Sequence, residues 1–496
     1  MNQKTRTILT LGLLIGGATA GCTPDPTLDP TPEVNRFEPV TTGHAVEYQG
    51  TSRGAAWGDF DGDGDPDLFV SHPTGDDAPQ SNVLYRNDAG RLTLIESAVD
   101  QAPPGAWQGG VWVDVEGDGD LDLHIVGRDG SGSLFFENEG GVLAAVTNDP
   151  FGGSVWGASM TCWADADGDG LLDAFVVGSG EGRNQLFRNR GAWSMEEVPL
   201  SELATGGGAS RACVWIDVDG DRLPEMVLAN ARQPNTLLRN RGDLAFEADL
   251  DSPLTTDEAY GYGLSAADVN GDGYQDVFVA NFDAPNTLLL GGPDGVLTPS
   301  PLGERLQSPA SKGHVWGDFD LDGVLDLYLG SGTPRPGMLN RLWSGTGGGD
   351  FALDTVSGFT LDADTSAAVA GADVDMDGDI DLFVANWGSP GSLDRLYENR
   401  AQGAHWLQID LEGEVSNSMG VGARVSTKTS GTDGWMHRWL TLSTGYAGQN
   451  EPRIHFGLGT AGQVDSLVVR WPSGLVTTMT DVPADQLVRI REGSGG

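Results

Sequence analysis

The sequence predicts an all-β protein, a seven-bladed β-propeller followed by a small C-terminal β-rich domain, and three observations carry that prediction. A nine-residue acidic pattern, D-x-D-x-D-x-x-x-D with conservative replacements, recurs seven times at intervals of 50 to 55 residues. That interval is the length of one propeller blade. Short apolar runs of strand character flank each copy. From about Ala401 onward the acidic pattern stops and a different set of short β-like runs begins.

The copies start at Asp59, Asp114, Asp165, Asp217, Asp268, Asp318 and Asp373. Five are preceded by a tryptophan two positions earlier: Trp57, Trp112, Trp163, Trp215 and Trp316. Each is followed by a run such as Leu68-Phe69-Val70 or Leu382-Phe383-Val384, which reads as a buried strand. The repeating unit is therefore strand, acidic loop, strand.

Alternating carboxylates on a tightly wound loop suit calcium, which takes six to eight hard oxygen ligands in a flexible shell. The predicted ligands of the first three loops are Asp59, Asp61, Asp63, Asp65 and Asp67; Asp114, Glu116, Asp118, Asp120 and Asp122; and Asp165, Asp167, Asp169, Leu171 and Asp173. Those of the last four are Asp217, Asp219, Asp221, Leu223 and Glu225; Asp268, Asn270, Asp272, Tyr274 and Asp276; Asp318, Asp320, Asp322, Val324 and Asp326; and Asp373, Asp375, Asp377, Asp379 and Asp381. In each set the seventh loop position contributes its main-chain carbonyl and the others a side-chain oxygen. An EF-hand would place a glutamate at the twelfth position, but here stand Val70, Ile125, Val176, Leu228, Val279, Leu329 and Val384. Calcium is thus expected at about one ion per loop, up to seven. The fourth loop is the weakest, with Arg222 at the turn glycine and Glu225 at the last aspartate.

Composition agrees. The 496 residues hold 72 acidic against 28 basic side chains, a net charge of −44. Such a field repels nucleic acid and anionic lipid surfaces and strains a compact fold unless cations neutralise part of it. The 74 glycines imply many tight turns.

Lys4 and Arg6, the apolar stretch from Ile8 to Ile15 and the run Ala18-Thr19-Ala20-Gly21-Cys22 read as an export signal. The run resembles a bacterial lipoprotein signal, which implies lipidation of Cys22, with Thr19 where that pattern has Leu. An ordinary cleaved signal is the other reading. The expected division is signal 1–21, a Pro/Thr/Asp-rich tether 22–35, propeller 36–400 and C-terminal domain 401–496. Contact with a membrane is expected only through the Cys22 anchor, in an envelope or surface lipoprotein, or not at all in a secreted chain.

Segments such as Trp57-Gly58-Asp59-Phe60-Asp61-Gly62-Asp63-Gly64, with the recurring Asn-x-Leu-x-Arg-Asn element at Asn82–Asn87, Asn184–Asn189 and Asn235–Asn240, resemble the FG-GAP (VCBS) repeats of integrin α-subunit propellers and bacterial surface proteins. Beyond them lie His405-Trp406-Leu407, Gly420-Val421-Gly422-Ala423-Arg424-Val425, Gly445-Tyr446 with Gln449-Asn450, His455-Phe456-Gly457-Leu458-Gly459 and Val469-Arg470-Trp471-Pro472-Ser473-Gly474. These are similar to the ASPIC/UnbV module that follows FG-GAP repeats in the cartilage acidic protein (CRTAC) family, with Gly448 where Ser is expected. The resemblance implies a cell-surface or extracellular role.

Two further expectations concern assembly. The seventh copy lacks a fourth strand, and Arg36-Phe37-Glu38-Pro39-Val40 has the pattern to supply it and close the ring; the alternative is a propeller with an incomplete last blade. Cys162 and Cys213 lie in equivalent strands of the third and fourth blades, either bridged or as two buried thiols. In the C-terminal domain, strands are expected at Trp406–Leu411, Ala423–Lys428, Trp439–Ser443, Ser466–Trp471 and Leu487–Arg491. The functional reading is a binding or adhesion scaffold for an extracellular protein or glycan. The alternative is a secreted propeller enzyme, a lyase or glycosidase acting on polysaccharide. None of the seven histidines repeats with the blade period, and no catalytic constellation is visible.

Overall fold

Each acidic loop reverses the chain between two buried strands, and four strands in succession make one blade. In the first, Gly54–Gly58, Asp67–Ser71, Val83–Asp88 and Arg91–Ile95 pair in order from the inside outward, with the loop Asp59–Pro66 joining the first two. The computed structural model describes residues 36–48, 50–73, 81–201, 204, 209–308, 310–333, 339–356, 365–387, 392–430 and 434–494. The expected signal, the tether and Cys22 lie outside them.

Seven four-stranded blades follow this plan. Their innermost strands after the first are Ala106–Val113, Ala158–Ala164, Ser210–Ile216, Gly261–Ala267, Ser311–Gly317 and Ser366–Ala372. Near the axis the blades crowd, which accounts for the small residues there: a Cβ on Gly110 would come within 2.3 Å of the Phe69 ring. The repeated tryptophans space neighbouring blades. Trp57 Nε1 donates to Ala370 O at 3.3 Å, Trp112 Nε1 to Ala56 O at 3.2 Å and Trp215 Nε1 to Cys162 O at 3.2 Å. Each of these indoles thus reaches the innermost strand of the preceding blade. Cys162 and Cys213 are joined by a disulfide between the third and fourth blades.

Phe37–Pro39 supplies the outer strand of the seventh blade, with Phe37 opposite Asn399 and Pro39 opposite Tyr397. Both chain ends of the propeller therefore sit in one sheet, and the ring has no unpaired edge at its seam. The outer strand of the fourth blade is Phe246–Ala248. Leu244 takes a positive φ of 56° in the turn before it.

The C-terminal module is two sheets packed on each other. His405–Glu412 lies between Ile454–Gly459 and Gln486–Arg491 in one; Met436–Trp439, Arg424–Lys428, Gln463–Arg470 and Val476–Pro483 pair in that order in the other. Leu407, Ile409, Val425, Phe456, Leu467, Val469 and Trp471 form the core between them. The strand expected at Trp439–Ser443 ends at Trp439. Leu440 still packs in the module core and its N–H donates to Ala423 O at 3.0 Å, but Leu442 packs among propeller residues that include Val111 and Val113.

That departure carries the chain into the channel on the propeller axis. Gly448–Gln449 pairs in parallel with Ala55–Ala56 of the first blade, forming a fifth strand on its inner edge. Gln449 brackets the second blade, its Oε1 accepting from Trp112 N at 2.7 Å and its Nε2 donating to Trp112 O at 2.9 Å. Leu264 N of the fifth blade donates to Gly445 O at 2.9 Å, and Asn450 Oδ1 accepts from Gly371 N of the seventh at 2.9 Å. The Tyr446 hydroxyl donates to Gln108 Oε1 at 3.1 Å. Gly445 and Gly448 fit because any Cβ would collide with main chain, at 2.6 Å from His314 N and 2.5 Å from Val369 O respectively.

Candidate metal centres and the module seated on them

One hydrogen-bond plan builds all seven loops. The first carboxylate accepts from the main-chain N–H five residues on, as Asp59 Oδ2 does from Gly64 N at 2.9 Å, and this bond recurs in every copy. The fifth position accepts from the seventh N–H, as Asp63 Oδ1 does from Asp65 N at 3.0 Å. The ninth is buried at the start of the next strand and holds two N–H groups: Asp67 Oδ2 accepts from Phe60 N at 3.1 Å and Oδ1 from Asn87 N at 2.8 Å. A positive φ of 102° at Gly64 allows the turn.

An asparagine at the end of the third strand, or one residue before it in the first blade, ties the loops around the ring, a role the sequence motif alone does not reveal. Asn87 Nδ2 donates to Val374 O, Asn138 Nδ2 to Phe60 O, Asn189 Nδ2 to Val115 O, Asn240 Nδ2 to Ala166 O and Asn399 Nδ2 to Phe319 O, at 2.7 to 2.8 Å. Each acceptor is the second residue of a neighbouring blade's loop. Gly291 and Gly345 stand at this place in the fifth and sixth blades.

After these bonds, particular oxygens are left over. Among the described residues Asp59 Oδ1, Asp61 Oδ1, Glu116 Oε2, Asp167 Oδ1, Asp318 Oδ1, Asp320 Oδ1, Asp373 Oδ1, Asp375 Oδ1 and Asp379 Oδ1 are buried with no hydrogen-bond partner. Most belong to the first and third loop positions, and they come from loops one, two, three, six and seven. In Asp59, Asp61 and Asp67, in Asp114, Glu116 and Asp122, and in Asp318, Asp320 and Asp322, one oxygen of each residue lies within 4.8 Å of the others. Hard, charged, unpartnered oxygens at this spacing fit a calcium ion. Burial pushes the ninth-position carboxyls up, Asp67 to about 8, Asp122 to about 9, Asp173 to about 8 and Asp326 to about 8. A nearby cation would reverse that direction.

Loops four and five differ. Asp217, Asp219 and Glu225 still converge, but Asp219 is exposed and no carboxylate oxygen of either loop is buried without a partner. Glu225 keeps the ninth-position bond, accepting from Val218 N at 3.0 Å. Arg222 adopts the glycine-like φ of 78°. In the fifth loop Asn270 Nδ2 donates to Asp272 Oδ2 at 3.0 Å, a neutral donor within the ligand set. At the seventh position Asp65, Asp120 and Asp379 turn their side chains toward outer N–H groups, those of Ala89, Gly140 and Ala401. Leu171, Leu223 and Val324 have only a carbonyl to offer there.

The C-terminal module sits on this loop face and meets every loop. Arg453 Nη2 donates to Gly64 O at 2.6 Å in the first, Ser418 Oγ donates to Asp114 Oδ2 in the second, and Val415 O lies 3.2 Å from where a Cβ on Gly170 would stand in the third. Arg222 Nη1 of the fourth donates to Ser473 O at 3.3 Å, and Arg424 Nη1 donates to Gly273 O of the fifth at 3.2 Å. Gly457 N donates to Asp318 Oδ2 of the sixth at 2.9 Å, and Gln408 Nε2 to Asp373 Oδ2 of the seventh at 2.7 Å. His455 Nε2 is 2.8 Å from Gly378 O, and burial pushes its imidazole down to about 4. Trp471 is a core residue whose Nε1 donates to Thr477 Oγ1 at 3.0 Å, so the Arg-Trp-Pro-Ser-Gly turn is built around packing.

An acidic loop at the same place in each blade defines a class of propeller. Residues 59–125, 114–176, 165–228, 217–279 and 268–329 match the FG-GAP-like repeat, and residues 413–496 match the ASPIC and UnbV family. The chain belongs to the FG-GAP-repeat family, in the CRTAC-like group that carries an ASPIC and UnbV module. It is 24% identical over 478 residues to cartilage acidic protein 1 of Xenopus tropicalis, covering 86% of this chain and 71% of that one. The Homo sapiens protein of that name is 24% identical over 470 residues, 85% and 69% of the two chains. Integrin alpha-4 of Xenopus laevis is 28% identical over 161 residues, 28% of this chain and 15% of that protein. Among solved structures it is similar to the BP39L lectin of Burkholderia pseudomallei, with a TM-score of 0.43 and 15% identity over 72% of this chain and 98% of the lectin. Nothing about that protein's ligands transfers at this level of likeness.

Proposed function

We propose that the protein is an exported calcium-binding scaffold, tethered through Cys22, in which ions in the acidic loops stiffen the face that seats the C-terminal module. The assembled surface then binds an extracellular protein or glycan. The observation that carries the calcium reading is the set of buried carboxylate oxygens left without partners in five loops. Calcium would supply the positive charge those oxygens lack, and the surrounding N–H groups already hold the carboxylates in place. The relatives named cartilage acidic protein support the extracellular setting.

Thermal unfolding of the mature chain with calcium and with chelator, alongside a metal count, tests this. Saturable stabilisation is expected, about 4 kcal/mol for each site at a thousandfold excess of ion over its Kd. The tightly held ions should number about five, from loops one, two, three, six and seven. No bound calcium with an unchanged melting temperature would overturn the reading.

A further inference from the structure

At the end of the channel away from the C-terminal module, three cations converge from three blades. Arg53 precedes the innermost strand of the first blade, Arg128 ends the second strand of the second, Asp122–Arg128, and Lys312 lies in the innermost strand of the sixth. Lys312 is 2% exposed, and its ammonium stands 4.4 Å from the Tyr262 ring centre, 4.7 Å from that of Trp387 and 5.4 Å from that of Phe282. The Arg53 guanidinium lies 3.7 Å from the same Trp387 ring, so one indole joins both cations. Burial, followed by the charges of Arg53 and Arg128, pushes Lys312 down to about 7.

None of these three side chains makes a hydrogen bond or ion pair with a described residue, and Arg53 Nε and Arg128 Nε are buried without an acceptor. In a chain with 72 acidic side chains, carboxylate partners are abundant elsewhere. An unsatisfied buried donor is costly, and an aromatic face returns only part of that cost to a cation. The cluster has a floor and a closely packed lysine stem. Tyr446 packs on Tyr262 with ring centres 4.6 Å apart and closes the channel beneath it. Gly332 clears the lysine stem, because a Cβ there would lie 2.6 Å from Lys312 Cδ.

We propose that this mouth of the channel is an oxyanion site, held by Arg53, Arg128 and Lys312, for a free sulfate-type ion or the carboxylate of an acidic sugar. It is separate from the acidic loops and stands whether or not they hold calcium. Calorimetric titration of the full calcium-treated chain with sodium sulfate, and in parallel with glucuronate, at fixed low chloride and ionic strength, tests it. One saturable site per chain is expected. Tighter sulfate binding would assign the site to the free ion, and tighter glucuronate binding to the sugar-borne group; either supports the proposal. Lys312→Met and Arg128→Gln should each weaken binding about tenfold or more, the worth of one charge-assisted contact. Without anion, Lys312→Met should melt no lower than the parent, since it removes an uncompensated buried charge. The proposal fails if neither anion binds saturably, if the variants bind as the parent does, or if Lys312→Met melts lower without anion.

Discussion

The two ends of the axial channel carry opposite charge left unneutralised by the protein, and they arrive at it differently. At the module end, carboxylates are fixed by a bond plan repeated seven times, and surplus buried oxygens remain in five of the seven loops. At the far end the surplus is positive, made once from Arg53, Arg128 and Lys312 with no repeat behind it. Repetition yields many equivalent sites, whereas the closing of a ring yields one site of composite origin. Tyr446 and Gln449 stand between the two.

The largest effect should come from breaking that partition. Tyr446→Ala removes a fully buried ring touching the second and fifth blades and should cost about 3–5 kcal/mol. It should also make the C-terminal module separable by limited proteolysis; a variant that melts and digests like the parent would show that the inserted segment holds nothing together. Paired substitutions within the acidic ring sharpen the contrast between loops. Asp320→Asn, at a buried unpartnered oxygen, should lose one bound calcium and about 2 kcal/mol in the presence of the ion. Asp219→Asn, at an exposed position, should stay within about 0.5 kcal/mol of the parent. Equal losses at the two would mean that burial does not rank the loops.

A smaller effect concerns pH in metal-free protein. The ninth-position carboxyls, Asp67, Asp173 and Asp326 among them, have folded values raised by burial to about 8, above the ordinary carboxylate range. The folded state therefore binds more protons between about pH 4 and pH 8, and stability falls as pH rises through that window. The metal-free chain should melt higher at pH 5 than at pH 8, with calcium narrowing the difference. A rise in melting temperature toward pH 8 without metal would contradict the sign.

The module end of this comparison was legible in the sequence and the far end was not. Seven aspartate patterns at a fixed period announce themselves locally, and the Phe37 strand shares the amphipathic pattern of the outer strands it replaces. Arg53, Arg128 and Lys312 are far apart in the chain, each in an unremarked context, and only closure of the ring unites them. The course of the inserted segment is hidden in the sequence for a related reason. Trp439–Ser443 alternates like a strand, and a short apolar run does not say that Leu440 will stay in the module core while Leu442 joins that of the propeller. The glycines and amides of Gly445–Asn450 were visible as a motif, but their partners lie in other blades.

The pairing of Phe37 with Asn399 also sets an order of events. The first strand of the propeller has no partner until almost the whole ring has been synthesised, so the contact that seals it is among the most distant in the chain and is made late. Until then the growing polypeptide cannot lock into a closed ring, and every blade made before the seventh must hold its shape without that seam.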